Sequence, residues 1–152
     1  MSLELRQKLV EHENTIFRSQ LQREDLLSLD RTNTNLIALL WDVIVLKNQP
    51  FVFTAIRSDH HDDSCLGEHS HADGDAVDGW FLASPRDGDY LDANDPRFLA
   101  AVKSVAEDPY EYQVGLGGSA YTAAVIKSAG PSAFEDNGSD HVHIGAKLPD
   151  EV

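Results

Sequence analysis

The order in which strand-like and helix-like segments follow one another most restricts the fold of this chain. Runs of β-branched and aromatic residues predict strands, and capped segments with apolar residues three or four positions apart predict helices. The predicted strands cover 51–56, 76–82, 110–116 and 141–146, and the predicted helices cover 36–46, 96–105 and 119–128. Because the two kinds of segment mix without regular βαβ alternation, we expect an α+β fold with a small, mainly antiparallel sheet and flanking helices.

The N-terminal segment, 3–22, is largely charged and carries few apolar residues, among them Leu5, Leu9, Ile16 and Phe17. This spacing is typical of a helix with a narrow apolar stripe. Such a stripe docks on its own domain or on another subunit, so homo-oligomers or a larger assembly formed through this helix are an open alternative. We therefore divide the chain into an N-terminal helical extension, 1–30, and a main domain, 31–152.

Charge and cysteine content exclude several classes of function. The chain has 26 acidic and 12 basic residues and a formal net charge of −14, which argues against nucleic acid as a partner. A single cysteine, Cys65, excludes an internal disulfide and a zinc site built from several cysteines. The first residues lack the apolar segment of a secretory signal, and the most apolar run, 36–46, is shorter than the roughly 20 residues that span a bilayer. We expect synthesis in the cytoplasm and no membrane insertion.

Six of the seven histidines fall into two short clusters, within 60–71 and 141–143, and both clusters lie among aspartates. Imidazole and carboxylate groups are the ligands of catalytic zinc sites, in which three protein ligands leave a fourth position for water. Calcium is a weaker alternative, because histidine is a poor calcium ligand and the EF-hand pattern is missing. The clusters therefore predict a site for Zn²⁺.

Two spacings within the clusters select particular residues. His71 and Asp78 lie seven positions apart, and Gly74 between them permits a turn before a strand that carries Asp78 inward. His141 and His143 are two positions apart, so on a strand both imidazoles share one face. We expect these side chains to meet at one metal site.

Other residues of the first cluster leave alternatives open. His69 forms a second His-x-His pair with His71 and defines a rival ligand set, although the glycine and alanine that follow favour His71. Cys65 is either an additional thiolate ligand or a small loop residue. His60 and His61 are interpreted as solvated loop residues.

The segment 71–78 reads His-Ala-Asp-Gly-Asp-Ala-Val-Asp. It resembles the His-x-x-Gly-x-Ala-x-Asp motif of the zinc peptidases of the D-alanyl-D-alanine peptidase and hedgehog type. In that family the motif supplies two zinc ligands and a histidine near the C-terminus supplies the third. The resemblance, which runs from about residue 35 to residue 144, implies that His71, Asp78 and His143 hold Zn²⁺ within a fold of the same type.

The resemblance also implies roles for three neighbouring residues. Family members with a His-x-His pair use its first histidine in catalysis, which corresponds to His141 here. Asp140 is the second candidate, because other members place a general base three residues before the last ligand. Arg57 closes the strand before the metal loop, in the position of an arginine that binds the substrate carboxylate or stabilises the oxyanion.

The function implied by this resemblance is hydrolysis of peptidoglycan-type peptides that contain D-amino acids, by a carboxypeptidase or an endopeptidase. A short chain with wall-cutting chemistry and no signal peptide suggests a phage-derived hydrolase, which acts at the cell wall during lysis or as part of a virion. The alternative is a zinc module without catalytic activity that serves a structural or interaction role, for example in a phage tail. An enzyme needs an open metal position, whereas a structural module has a fourth protein ligand, for which His69 and Cys65 are the candidates.

Overall fold

The computed structural model describes residues 3–58, 70–71, 73–85, 88–136 and 140–151. Within these ranges the α-helices are α1 (Leu3–Glu11), α2 (Gln20–Leu27), α3 (Thr34–Leu40), α4 (Pro96–Ala106) and α5 (Ala123–Ala129). The strands are β1 (Thr15–Phe17), β2 (Phe51–Ala55), β3 (Ala76–Phe81), β4 (Glu111–Gly117), β5 (Ala133–Glu135) and β6 (His141–Ala146). A π-helical turn (Trp41–Leu46) continues α3, and short 3₁₀ turns cover Gly118–Ala120 and Pro149–Glu151.

The strands form one open sheet in the order β1-β2-β3-β6-β4-β5. The inner pairings, β2 with β3, β3 with β6 and β6 with β4, are antiparallel. The pairings at the two edges, β1 with β2 and β4 with β5, are parallel. The α+β fold class with a mainly antiparallel sheet is thereby confirmed.

The prediction of one helix over 3–22 is wrong. The chain leaves α1 through a turn in which the Thr15 backbone N–H donates to the His12 carbonyl, and it then forms β1 before α2 begins. The residues Thr15, Ile16 and Phe17 are β-branched or aromatic and pair with β2, and the Phe17 ring stacks on that of Phe53 with centroids 5.4 Å apart. The apolar residues of the expected stripe are therefore divided between α1, which holds Leu5 and Leu9, and the edge strand β1, which holds Ile16 and Phe17.

Cap residues in the sequence correctly indicate where α3 and α4 begin. The Asn33 side chain caps α3 and the Asp95 side chain caps α4, as the clusters of cap residues indicate. Asn48 adopts a left-handed conformation (φ 56°) after the π-helical turn. The helix predicted over 119–128 is shorter and later, because a 3₁₀ turn precedes it and Thr122 is its cap.

The two faces of the sheet differ in character. On β6, the side chains of Val142 and Ile144 are buried in the hydrophobic core, together with residues of α3 and α4. His141 and His143 alternate with them and project from the opposite face. Strand β6 therefore carries apolar side chains on one face and two histidines on the other. No helix of the described ranges has the length and apolar character needed to cross a bilayer.

Two carboxyl groups meet where α4 packs near the π-helical turn. Asp108, which is buried, follows the end of α4, and its carboxyl group is hydrogen-bonded to that of Asp42. Burial, followed by this contact, raises the pKa of Asp108 to about 7, against the opposing effects of the Tyr110 backbone N–H and Lys47. In an unfolded chain the pKa of an aspartate is about 4. Between about pH 4 and about pH 7, the folded protein therefore binds one more proton at Asp108 than the unfolded chain does.

We predict that Asp108→Asn makes the stability of the protein less dependent on pH. In the wild type, the stabilisation by neutral Asp108 is complete below about pH 4 and is lost as the pH rises through about 7. The asparagine mimics the neutral acid and still accepts the hydrogen bond from the Tyr110 N–H. Urea unfolding from pH 4 to 8 should show the advantage of the variant growing with pH. The exposed control Asp150→Asn should show no such trend, and equal curves for wild type and Asp108→Asn would contradict the prediction.

Candidate metal centre

Three side chains that are distant in sequence converge on the polar face of the sheet. The His71 Nε2 atom lies 3.1 Å from Asp78 Oδ1 and 3.2 Å from His143 Nδ1, and the last two atoms are 3.1 Å apart. The three atoms form a nearly equilateral triangle. His71 is buried, and the Asp78 and His143 side chains are only 13 % and 12 % exposed. These residues form a group that could hold a metal ion.

Strand register places two of the three residues side by side. Asp78 on β3 is the direct partner of His143 on β6 in the antiparallel ladder. Directly opposed residues of an antiparallel pair project to the same face with their Cβ atoms about 5 Å apart. The carboxylate and the imidazole therefore meet because of backbone pairing.

The third residue, His71, is held by the turn that precedes β3. Its carbonyl accepts from the Gly74 N–H (3.0 Å), and the Ser70 carbonyl accepts from the Asp75 N–H (2.9 Å). Gly74 has φ +77°, and a Cβ atom at this position would lie 2.1 Å from the Arg31 carbonyl oxygen. The turn thus requires glycine for two independent reasons, its positive φ and its close approach to the chain.

Both imidazoles have a polar partner behind the centre. The His71 Nδ1 atom lies 2.7 Å from the Ile56 carbonyl oxygen. A carbonyl only accepts, so Nδ1 carries the proton, and in the neutral ring Nε2 presents its lone pair to Asp78 and His143. The His143 Nε2 atom lies 3.1 Å from the side-chain amide nitrogen of Gln113, which donates to it. A turn of the amide by about 180° brings its oxygen to Nε2; the proton of His143 then resides on Nε2, and Nδ1 presents a lone pair.

The electrostatics of Asp78 favour the ionised form. Burial raises the pKa of this carboxyl group, but when the ring nitrogens that face it carry protons, as they can before a metal replaces those protons, hydrogen bonds from His143 and His71 and the charge of both rings outweigh burial. The resulting pKa lies well below the ordinary value for aspartate. An ionised carboxylate is the form that ligates a cation.

The donor set and its spacing fit zinc. Two imidazole nitrogens and one carboxylate oxygen are typical ligands of a catalytic Zn²⁺. Ligand atoms about 2.0–2.1 Å from one ion at tetrahedral angles lie about 3.3 Å from each other. The sides of the observed triangle, 3.1–3.2 Å, are close to this value without any rearrangement.

A histidine–aspartate pair lies beside the triangle. The His141 Nε2 atom is 2.9 Å from Asp136 Oδ2 and 3.8 Å from Asp78 Oδ1. Because an ionised carboxylate only accepts, Nε2 is the donor to Asp136. The His141 ring is therefore held next to the centre with an N–H group close to the ligand carboxylate.

The other two candidate residues form hydrogen bonds with groups outside the triangle. Asp140 is exposed in front of β6, and its Oδ2 atom accepts from the Ser119 hydroxyl at 3.2 Å. Arg57 follows β2, and its Nη1 atom donates to the carbonyls of Asp30 and Arg31, both at 3.0 Å. The Arg57 guanidinium is thus bound to the chain segment that contacts the Gly74 turn.

Sequence reasoning missed the residues that support the site. Gln113 reaches His143 because β4 is the other neighbour of β6, which the sequence does not reveal. Asp136 lies five residues before His141 and contacts it. Its closeness in sequence to a candidate histidine is the only signal that could have identified it. The Ile56 carbonyl has no sequence signal. The alternative ligands His69 and Cys65, and also His60 and His61, lie outside the described residues.

No protein-family model matches this chain, and no curated protein matches it. The resemblance to zinc peptidases therefore stays a prediction from the motif. The metal-binding geometry stands independently of it, since it depends on the distances between His71, Asp78 and His143.

We predict that Gly74→Ala weakens metal binding. The new methyl group would collide with the Arg31 carbonyl and strain a backbone of positive φ, and so displace the turn that carries His71. Zinc affinity should fall about tenfold or more, since a shift of one ligand degrades the whole set, and the free energy of unfolding should fall by about 1–3 kcal/mol.

Gly130→Ala is the matched control for this prediction. Gly130 also has a positive φ (+110°), but a Cβ atom there meets nothing within 4 Å. Zinc titration against a competing chelator should give wild-type affinity for this variant. Equal zinc affinity for Gly74→Ala and the wild type would contradict the role of the turn.

Proposed function

We propose that this protein is a zinc-dependent peptidase that hydrolyses peptidoglycan-type peptides containing D-amino acids. The observation that carries the proposal is the triangle of His71 Nε2, Asp78 Oδ1 and His143 Nδ1, with sides of 3.1–3.2 Å. His71, Asp78 and His143 would hold a zinc ion as three protein ligands, and the ion would supply a Lewis acid able to polarise a peptide carbonyl and to lower the pKa of water.

His141 is the residue to which we assign proton handling. Its Nε2–H donates to Asp136 Oδ2 at 2.9 Å, and the same nitrogen lies 3.8 Å from Asp78 Oδ1, which places the ring beside the triangle. When this N–H turns from Asp136 to the substrate, it can donate a hydrogen bond to a developing oxyanion or a proton to the leaving amine. Asp140 is the second candidate, but its carboxylate is exposed and engaged with Ser119.

Arg57 is the residue to which we assign recognition of a substrate carboxylate. Its guanidinium is half-exposed, and only Nη1 is used by the Asp30 and Arg31 carbonyls in the contacts described above. The remaining N–H groups of the planar fork suit a bidentate contact with a carboxylate. Its backbone directly follows Ile56, whose carbonyl orients His71, so the cation and the centre are built on the same strand end.

The substrate class and place of action follow from the motif resemblance rather than from the site. We place the enzyme at the cell wall, as a phage-derived hydrolase that acts during lysis or within a virion. A zinc module without activity is the second candidate. It is favoured if His141, whose Nε2 is already 3.8 Å from Asp78 Oδ1, becomes a fourth ligand.

We predict that metal content and cleavage separate in two variants. Wild-type protein should contain one zinc per chain and digest purified peptidoglycan, and His71→Ala should lose both properties. His141→Ala should retain zinc and lose cleavage by about 10²–10⁴-fold, because it removes only the proton donor. Metal analysis and release of soluble peptides are the two measurements.

Asp140→Asn is the matched control, since it alters a neighbouring residue without touching the triangle. Zinc and cleavage should both stay within a few-fold of wild type. Zinc-containing wild type that cuts no peptidoglycan would overturn the peptidase proposal in favour of the inactive module. Loss of cleavage in Asp140→Asn but not in His141→Ala would show that Asp140, and not His141, handles the proton.

A further inference from the structure

We propose that Asp25, in the N-terminal helix α2, is a positioning residue of the metal centre. The inference rests on the proposed function in one respect, that His71, Asp78 and His143 bind zinc. It adds a residue about 45 positions before the first ligand, in a segment that the sequence pattern assigned to an extension.

Asp25 is fully buried, and its carboxylate caps the end of β2. The Oδ2 atom accepts from the backbone N–H groups of Arg57 (3.1 Å) and Ser58 (2.8 Å). The Oδ1 atom accepts from the Ser58 hydroxyl (2.5 Å) and lies 3.6 Å from Arg31 Nη1. A buried carboxylate with three donors from two consecutive residues fixes the position of that backbone.

The capped backbone is the one that orients the first ligand. The residue before Arg57 is Ile56, whose carbonyl oxygen accepts from His71 Nδ1 at 2.7 Å. Asp25 thus acts on His71 through one peptide unit and one hydrogen bond. Partners that fix the tautomer and the orientation of a ligating histidine strongly affect metal affinity.

A second set of contacts ties the same N-terminal segment to the metal loop. The Asn33 backbone N–H donates to the Gly74 carbonyl (3.0 Å), and its side-chain amide donates to Asp75 Oδ1 (2.7 Å). The Arg57 guanidinium returns to the Asp30 and Arg31 carbonyls. Residues 25–33 therefore hold the strand end before the loop and the turn after it.

Buried Arg6 on α1 gives this segment a rigid base. Its guanidinium is completely buried and donates to the carbonyls of Leu26, Ser28 and Thr32 and to the Thr32 hydroxyl, at 2.6–2.8 Å. The Thr32 hydroxyl in turn donates to the Asp25 carbonyl at 2.7 Å. Asp25 is consequently held at its backbone carbonyl by Thr32 and at its carboxylate by Arg57 and Ser58. A residue that positions another must itself be held in this way.

The test compares zinc affinity in full-length variants by competition with a chelating dye, together with the visible absorption spectrum of the Co²⁺ form. Asp25→Ala should bind zinc about tenfold or more weakly and shift the Co²⁺ spectrum, because the end of β2 and His71 lose their fixed position. Asp25→Asn should stay within twofold, since its amide oxygen can still cap the Arg57 and Ser58 N–H groups.

Asn14→Ala is the control for a purely structural role. Asn14 is also buried in the N-terminal segment, and its side chain donates to the Ile44 carbonyl (3.0 Å) and to Asn48 Oδ1 (2.8 Å), contacts that do not involve the metal loop. Its loss should lower stability but leave zinc affinity within twofold.

Ser58→Ala removes one of the three donors to Asp25 and should weaken zinc binding about threefold.

The outcomes are distinct. Folded Asp25→Ala that binds zinc like the wild type, or no more weakly than Asn14→Ala, overturns the role of Asp25 while the zinc centre stands. If Asp25→Ala does not fold, unchanged zinc affinity in Ser58→Ala overturns it instead. Wild-type protein that binds no zinc overturns the proposed centre, and this inference with it.

Discussion

The antiparallel pairing of β3 with β6 is the constraint on which the rest of the site depends. It sets Asp78 opposite His143 in a register that places the apolar partners Val77 and Ile144 on the other face, so the pairing that buries the core also brings the candidate ligands together. A shift of one residue would expose the apolar pair and bury the ligands, and the hydrophobic effect opposes it. The precision of the site is therefore secured by the same apolar contacts that fold the sheet.

Around this pairing the chain supplies support from three directions. The β2 end and the turn at Gly74 hold His71, β4 holds His143 through Gln113, and Asp136 holds His141. Acceptor atoms crowded within 3.1–3.2 Å are unfavourable when they carry no cation or shared proton. Supporting contacts of this kind let a protein maintain such a cluster before a metal arrives.

The sequence predicted the parts of this arrangement that depend on local pattern. Alternation of apolar and histidine residues placed β6 and its two faces, and the spacing of His71 and Asp78 placed one ligand on a turn and one on a strand. The sequence alone does not predict which distant segments pair as strands. Ile16 and Phe17 were assigned to a helix because their partner in β2 lies more than 30 residues away, and Gln113 was missed because strand order is not encoded in local pattern. The buried roles of Arg6 and Asp25 were missed for the same reason, since isolated charged residues on a helix normally face solvent.

The most direct test of the proposed metal centre is the crystal structure of the zinc-loaded protein, with the ion located by anomalous scattering at the zinc edge. We predict a single peak bonded to His71 Nε2, Asp78 Oδ1 and His143 Nδ1, with no fourth protein atom within bonding distance. A peak elsewhere in the molecule, or a centre closed by an additional histidine or cysteine, would contradict it.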